Sequence, residues 1–198
     1  MANSVLKQAW LVLVLAVCFG AALAGVHVAL SPRIEENRRA EVQDAIPILL
    51  QGSVPESAER TELGGRRVYK GYDAEGDHLG WVVHATGQGF GGPVELLIGL
   101  DQPAERITGI YVLLQTETPG LGTGITEQDW REQFEGIPAS GGVTLVKEKP
   151  SQSDEIQAIT GATVSSQSVC DIVNSAVADV RAALSDGDSV DEGASGDE

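Results

Sequence analysis

Residues 158–184 read AITGATVSSQSVCDIVNSAVADVRAAL. Within them Val169, Ile172, Val173, Ala176, Val177, Val180 and Leu184 fall at i, +3, +4, +7, +8, +11 and +15, one apolar stripe at helical spacing. The spacing predicts a C-terminal helix, with Ser165 or Ser166 as its N-cap. Upstream, residues 66–72, 79–85, 94–100 and 107–115 are strand candidates, separated by turns at 87–93 and 101–104. Residues 143–147 form a further short strand candidate. Residues 127–134 read as a short helix capped by Thr126, and the polar, turn-rich stretch 52–65 as a loop. The expected fold class is α+β: a single domain with a mixed, antiparallel-leaning sheet and a C-terminal helix.

The N-terminus is of another kind. Residues 9–26, AWLVLVLAVCFGAALAGV, carry no charge, and the run extends to Leu30 if His27 is tolerated near an interface. A span needs roughly 20 apolar residues, and Trp10 stands where interfacial anchors do. A cleaved signal peptide is the alternative, with a small-x-small site at Ala22-Leu23-Ala24. A lipoprotein site at Cys18 is weaker, because Val17 precedes it. The apolar length favours an uncleaved anchor over 9–30, after a short tail at 1–8. A juxtamembrane helix at 31–52 follows, started by Ser31 and Pro32 and continuing from the span with a kink. The domain then occupies 53–185. Lys7 lies before the span and Arg33, Arg38 and Arg39 after it, so the charge count by itself leans toward a cytoplasmic domain.

Charge excludes several functions. The 198 residues carry 29 acidic against 13 basic side chains, a net −16. Nucleic-acid binding needs a basic face, and adsorption to anionic lipid needs one too. Asp186, Asp188, Asp191, Glu192, Asp197 and Glu198 sit among Gly and Ser, so 186–198 reads as an acidic, disordered, solvating tail. The two cysteines, Cys18 and Cys170, make no CxxC and join no Cys/His cluster, so neither a zinc nor an iron–sulfur ligand set is present. Cys170 reads as a small packed residue. His27, His78 and His84 read as structural or exposed, and Trp81 and Trp130 as core.

Two segments are rich in chemistry. In Thr160-Gly161-Ala162-Thr163-Val164-Ser165-Ser166, small residues and hydroxyls crowd a helix start, whose free N–H groups and positive dipole end favour a phosphate. The same residues also make an ordinary capped turn. In Glu117-Thr118-Pro119-Gly120-Leu121-Gly122-Thr123-Gly124, Pro119-Gly120 fits a tight turn. Gly120, Gly122 and Gly124 leave bare backbone on which a flat aromatic ligand could lie, with Glu117 and Thr118 as hydrogen-bonding groups. A long hairpin loop accounts for the same residues. No Gly-Lys-Ser/Thr follows, so this is not a phosphate-binding P-loop.

TGAT at 160–163 before a terminal helix, together with ETPGLG at 117–122 after a strand, resembles the FMN-binding domain family. That family includes the G subunit of the Rnf electron-transport complex and the C subunit of the sodium-translocating NADH:quinone reductase. Residues 89–93, GFGGP, before an apolar strand are also similar, and so is the order of span, juxtamembrane helix and domain. The resemblance covers roughly residues 5 to 185. Length and layout are most similar to the Rnf G subunit.

The resemblance implies FMN held by a phosphoester to Thr163, formed by a separate flavin transferase that takes FMN from FAD. It implies Thr160, Gly161 and Ala162 around the ester, and Glu117, Thr118, Gly120, Leu121 and Gly122 near the flavin. It implies an electron-relay role, alongside other membrane subunits of an ion-translocating complex. It also implies a bacterial or archaeal cytoplasmic (inner) membrane with the domain on its extracytoplasmic face, against the charge count. The sequence departs from the family at two points. Gln157 stands six positions before Thr163, where the transferase pattern usually has Asp. Gln115 and Thr116 precede ETPGLG, where a His is common. Three other readings stand beside it: a flavin-bearing component of another respiratory complex such as a sodium-translocating NADH:quinone reductase, an anchored scaffold that carries no flavin, or a plain anchored extracytoplasmic domain whose two loops are ordinary turns.

Overall fold

The computed structural model describes residues 2–191. The chain divides into two compact units, Met1–Glu41 and Val42–Glu198, and helix α1 (Ala2–Leu49) contributes to both. Its first part leaves Trp10, Leu13, Leu15, Phe19 and Leu23 exposed. A stretch within it, of mean hydropathy 2.4, is long and apolar enough to cross a membrane. Ser31 and Pro32 start no second helix. They lie inside α1, where the Ser31 hydroxyl donates to the His27 carbonyl four residues back (2.7 Å) instead of capping.

The second unit is built on a five-stranded antiparallel meander. Its strands, in spatial order, are β1 (Glu59–Leu63), β2 (Arg66–Tyr72), β3 (His78–Gln88), β4 (Pro93–Asp101) and β5 (Ile107–Leu114). Successive residues of a strand face opposite sides, and both sides are covered. Val83 and Ala85 of β3, with Val94, Leu96, Ile98 and Leu100 of β4, belong to the larger core. Helix α3 (Thr163–Asp191) fills that core with Val169, Val173, Ala176, Val177 and Val180. These are members of the stripe read from the sequence. Val82 and Leu97 face the other way, toward Val42, Ala45, Ile46 and Leu49 at the end of α1. A short helix α2 (Gln128–Arg131) and a 3-10 turn (Glu132–Phe134) bring Trp130 and Phe134 into the larger core. A small parallel pair, β6 (Thr144–Val146) and β7 (Glu155–Gln157), stands apart from the meander.

Several local expectations are corrected. Residues 59–63, expected within a loop, form β1. Their polar side chains suit an edge strand, which pairs with β2 alone. The turn between β1 and β2 is Gly64-Gly65, with φ of 58° and 71°, the conformation a tight two-residue hairpin requires. Thr126 does not cap α2: Glu127 holds that position, and the Thr126 hydroxyl donates to the Thr123 carbonyl. Neither Ser165 nor Ser166 caps α3, which begins at Thr163 and takes both serines into its first turn. Helix α3 runs on through Asp186 and Asp188 to Asp191, where the sequence led to the expectation of a disordered tail from residue 186. Glu192, Asp197 and Glu198 lie outside the described residues.

Candidate functional site

The loop after β5 turns back on itself at once. The Leu121 N–H donates to the Thr118 carbonyl (3.2 Å), closing a four-residue turn with Pro119 and Gly120 at its centre. Gly120 has φ of +76°, the left-handed value that the third residue of such a turn demands. The Thr123 hydroxyl accepts from the Gly120 N–H (3.0 Å), and residues Gly122–Thr126 continue as a 3-10 helix. The glycines here serve an ordered turn.

The second segment ends the other wall of the same region. β7 is held by the Trp130 indole N–H, which donates to the Gln157 carbonyl (2.9 Å), and by the Gln157 N–H, which donates to the Gln133 side-chain oxygen (2.7 Å). The chain then bends at Gly161, φ +81°, where a side chain would be strained and its Cβ would press to 3.1 Å of the Leu121 side chain. Ser166 ties the bend down. Its hydroxyl donates to the Ala162 carbonyl (3.0 Å) and accepts from the Ile159 N–H (3.1 Å). Thr163 is thereby the exposed first residue of α3. The N–H groups of Thr163, Val164 and Ser165 precede the first intrahelical bond, from the Ser166 N–H to the Ala162 carbonyl (3.0 Å). They form the positive end of the helix.

Between the two segments lies a cavity of about 320 Å³, at the lower end of the range for ligand clefts. It is lined by Glu117, Thr118, Leu121 and Gly122 from the first segment and by Gly161, Ala162, Thr163, Val164 and Ser165 from the second. Phe90, on the turn between β3 and β4, completes it. Of the residues singled out from sequence, Thr160, Gly120 and Gly124 do not line the cavity. Gly120 shapes the turn, and a Cβ there would meet nothing. Phe90, Val164 and Ser165 were missed. The glycine-rich turn around Phe90 was a signal for the first. The helix start at Thr163, three residues earlier than a Ser165 cap implies, would have exposed the others. Phe90, Leu121 and Val164 are apolar yet exposed, by 68%, 47% and 57%. They give the cavity an apolar rim.

The electrostatics are simple. Among the described residues no Lys, Arg or His lines the cavity, so an anion there would rely on backbone N–H groups and the helix end. Among the described residues the one ionisable group in the lining is Glu117, 5% exposed. Among the described residues no group of three or more His, Cys, Asp and Glu is placed to hold a metal. His84 and Glu95 form a buried pair at 2.6 Å in β3 and β4, apart from the cavity.

The FMN-binding domain family matches residues 89–178, which include every residue of the cavity. The G subunit of the ion-translocating oxidoreductase complex of Methanosarcina acetivorans is 39% identical over 109 residues, 55% of each chain. The G subunit of the proton-translocating ferredoxin:NAD(+) oxidoreductase complex of Clostridium ljungdahlii is 30% identical over 166 residues, 82% of this chain and 85% of that one. The match to the Methanosarcina protein thus spans about half of its length, and the match to the Clostridium protein most of it. Among solved structures, the C subunit of the Na(+)-translocating NADH-quinone reductase of Parabacteroides distasonis superposes with a TM-score of 0.51. It is 26% identical, over 58% of this chain and 60% of that one.

Proposed function

The chain belongs to the FMN-binding domain family, and we propose on that premise that it is a membrane-anchored flavoprotein of the G-subunit type, which carries FMN on Thr163 and relays electrons in an ion-translocating oxidoreductase complex. One observation carries the assignment of the site: a single cavity is lined by both family segments, with an exposed threonine as the first residue of α3. The lining suits the group. The apolar rim of Phe90, Leu121 and Val164 matches a flat aromatic ring system. When bound, FMN supplies one- and two-electron redox chemistry.

The chain's own residues then have distinct tasks. Thr163 is a point of attachment. A flavin transferase would join its Oγ1 to the FMN phosphorus of FAD as the pyrophosphate P–O bond breaks, AMP leaves and the hydroxyl proton is lost. The resulting phosphodiester is an anion beside the first N–H groups of α3, an arrangement worth about 0.3–1 kcal/mol and up to about 2 when partly buried. With no cation in the lining, that is weak retention for a free FMN, which is a physical reason for a covalent tether. Thr118 offers a hydroxyl, and Leu121 and Phe90 exclude water from the ring.

α1 anchors the chain in the inner membrane, and the other subunits of the complex are its partners. We assign the domain to the extracytoplasmic side, since domains of this length translocate despite a few flanking arginines.

Co-expression with a flavin transferase tests the reading. A denaturing gel viewed under ultraviolet light is expected to show a fluorescent band that is absent in Thr163→Ala. A dark wild-type band, beside a control substrate that the same transferase labels, would overturn the covalent assignment.

A further inference from the structure

Glu117 stands among flavin-contacting residues by its place in the sequence, yet both of its oxygens are engaged within the protein. Oε2 accepts from the Ser165 hydroxyl at 2.6 Å, a buried contact between residues 48 apart in the chain. Oε1 accepts from the Gly91 N–H at 3.2 Å. The Glu117 N–H in turn donates to the Gln115 side-chain oxygen at 2.7 Å, which fixes the backbone at the carboxylate's root. Three segments therefore meet on one carboxylate: the loop after β5, the turn between β3 and β4, and the first turn of α3.

The glycines around it report how closely they meet. A Cβ on Gly89 would lie 2.1 Å from Oε1, and one on Gly122 would lie 2.6 Å from Oε2 and 2.8 Å from the Ser165 oxygen. A Cβ on Gly91 would lie 2.3 Å from the Thr116 carbonyl oxygen. Real side chains are never that close, so Gly89 in the 89–92 turn and Gly122 in the 117–122 loop leave the room the carboxylate occupies, and Gly91 lets the turn pack on the backbone of Thr116. Burying a carboxylate costs several kcal/mol unless hydrogen bonds replace its water. Here a hydroxyl and a backbone N–H do so, each bond strengthened by the charge. The carboxylate also lies against the first turn of α3, where a negative charge complements the helix dipole.

We propose that Glu117 is a positioning residue: its carboxylate latches the 117–122 loop and the 89–92 turn to Ser165, and so sets the geometry of Thr163, two residues earlier on the same helical turn. The proposal rests on the flavin reading of Thr163 only for what is positioned; the latch itself belongs to the flavin-free chain.

The test uses the full-length chain in detergent, as wild type, Glu117→Gln, Glu117→Ala, Ser165→Ala and the double alanine variant. Two quantities are measured: backbone hydrogen exchange of the flavin-free protein over residues 89–92, 116–123 and 160–168, and the rate of flavin incorporation by a flavin transferase. Ser165→Ala is expected to speed exchange in 116–123, and Glu117→Ala in 160–168, each by about tenfold, the scale of one hydrogen bond to a charged group. Each is expected to slow flavin incorporation, and the double variant is expected to be no slower than the slower single, because both remove one contact. Glu117→Gln keeps an acceptor for Ser165 and is expected to fall between wild type and Glu117→Ala. It also keeps the test available if Glu117→Ala does not fold. Wild-type exchange in 116–123 of Ser165→Ala, or wild-type flavin incorporation in that variant, would overturn the proposal. If even the wild type takes no flavin, the exchange measurement decides alone: reciprocal loss of protection sustains the latch and its absence removes it.

Discussion

Gly122→Ala is the sharpest perturbation of the cavity wall. Gly122 has ordinary backbone angles, so an alanine there is not strained by conformation. It is strained by neighbours. The new methyl would lie 2.6 Å from Glu117 Oε2, 2.8 Å from Glu117 Cβ and 2.8 Å from Ser165 Oγ, whereas carbon atoms rest about 3.5–4.0 Å apart. Overpacking of this kind costs about 1–3 kcal/mol. Relief requires the carboxylate to move, which breaks its bond to Ser165, and a hydrogen bond to a charged group contributes about 1.5–3 kcal/mol. Partial relaxation leaves an expected loss of about 3 kcal/mol, or about 6–12 °C in Tm for a domain of this size. Gly120→Ala is the matched control. Its φ is +76° and its added methyl meets nothing within 4 Å, so it should lose only the cost of left-handed backbone, about 1 kcal/mol. Urea unfolding of the full-length chain in detergent, followed by tryptophan emission, measures both. Trp130 reports directly, since it is buried and its indole is bonded to the Gln157 carbonyl. A Gly122→Ala variant no less stable than Gly120→Ala would refute the close packing of Glu117 against Gly122 and Ser165.

Three further outcomes are expected. Gln157 is exposed on β7, and its side-chain amide donates to the Lys147 carbonyl at 3.4 Å. On the proposed flavin reading, Gln157→Asp, which supplies the acidic residue that the resemblance implies for the transferase pattern, should raise the rate of flavin incorporation while stability stays within about 0.5 kcal/mol; an unchanged rate would show that residue 157 does not govern incorporation. Burial, with the Asp171 charge adding to it, pushes the Cys170 thiol from 9.0 up to about 12. In a Cys18→Ser background a disulfide reagent at mildly alkaline pH should therefore label Cys170 in urea but not in the folded chain, because the thiolate is the reactive form; rapid labelling of the folded protein would contradict the packing. His78 is held below its ordinary 6.5, first by burial and then by the charge of Lys70, against the opposing effect of a Gly80 backbone hydrogen bond. The folded state thus keeps His78 neutral while the unfolded chain takes up a proton as pH falls through 6.5, so stability is full above 6.5 and declines below it. His78→Phe should flatten that decline in urea titrations run at successive pH values, and an identical slope in both proteins would place its origin elsewhere.

Much of this protein was legible before any tertiary contact was known, because the features concerned are local. The uncharged run from Ala9 to Val26 fixes an apolar helix by composition, and the stripe from Val169 to Leu184 fixes α3 and the face it buries by period alone. The strands at 66–72 and 94–100 follow from β-rich runs bounded by turns, and the Pro119-Gly120 turn from the two residues that best satisfy its angles. What escaped the sequence was decided elsewhere in the chain. β1 is polar and becomes a strand only because β2 offers it a ladder across Gly64-Gly65. Ser165 looked like a cap and is instead a donor to Glu117, since the helix begins earlier than its hydroxyls suggested. Phe90, Glu117 and Thr163 lie far apart in sequence and leave no common period or spacing. Only the pairing of β3 with β4 and of β4 with β5, and the packing of α3 across the sheet, brings the three to one cavity. A hydrogen bond between residues 48 apart depends on the path of the whole chain between them, and no local pattern of side chains records that path.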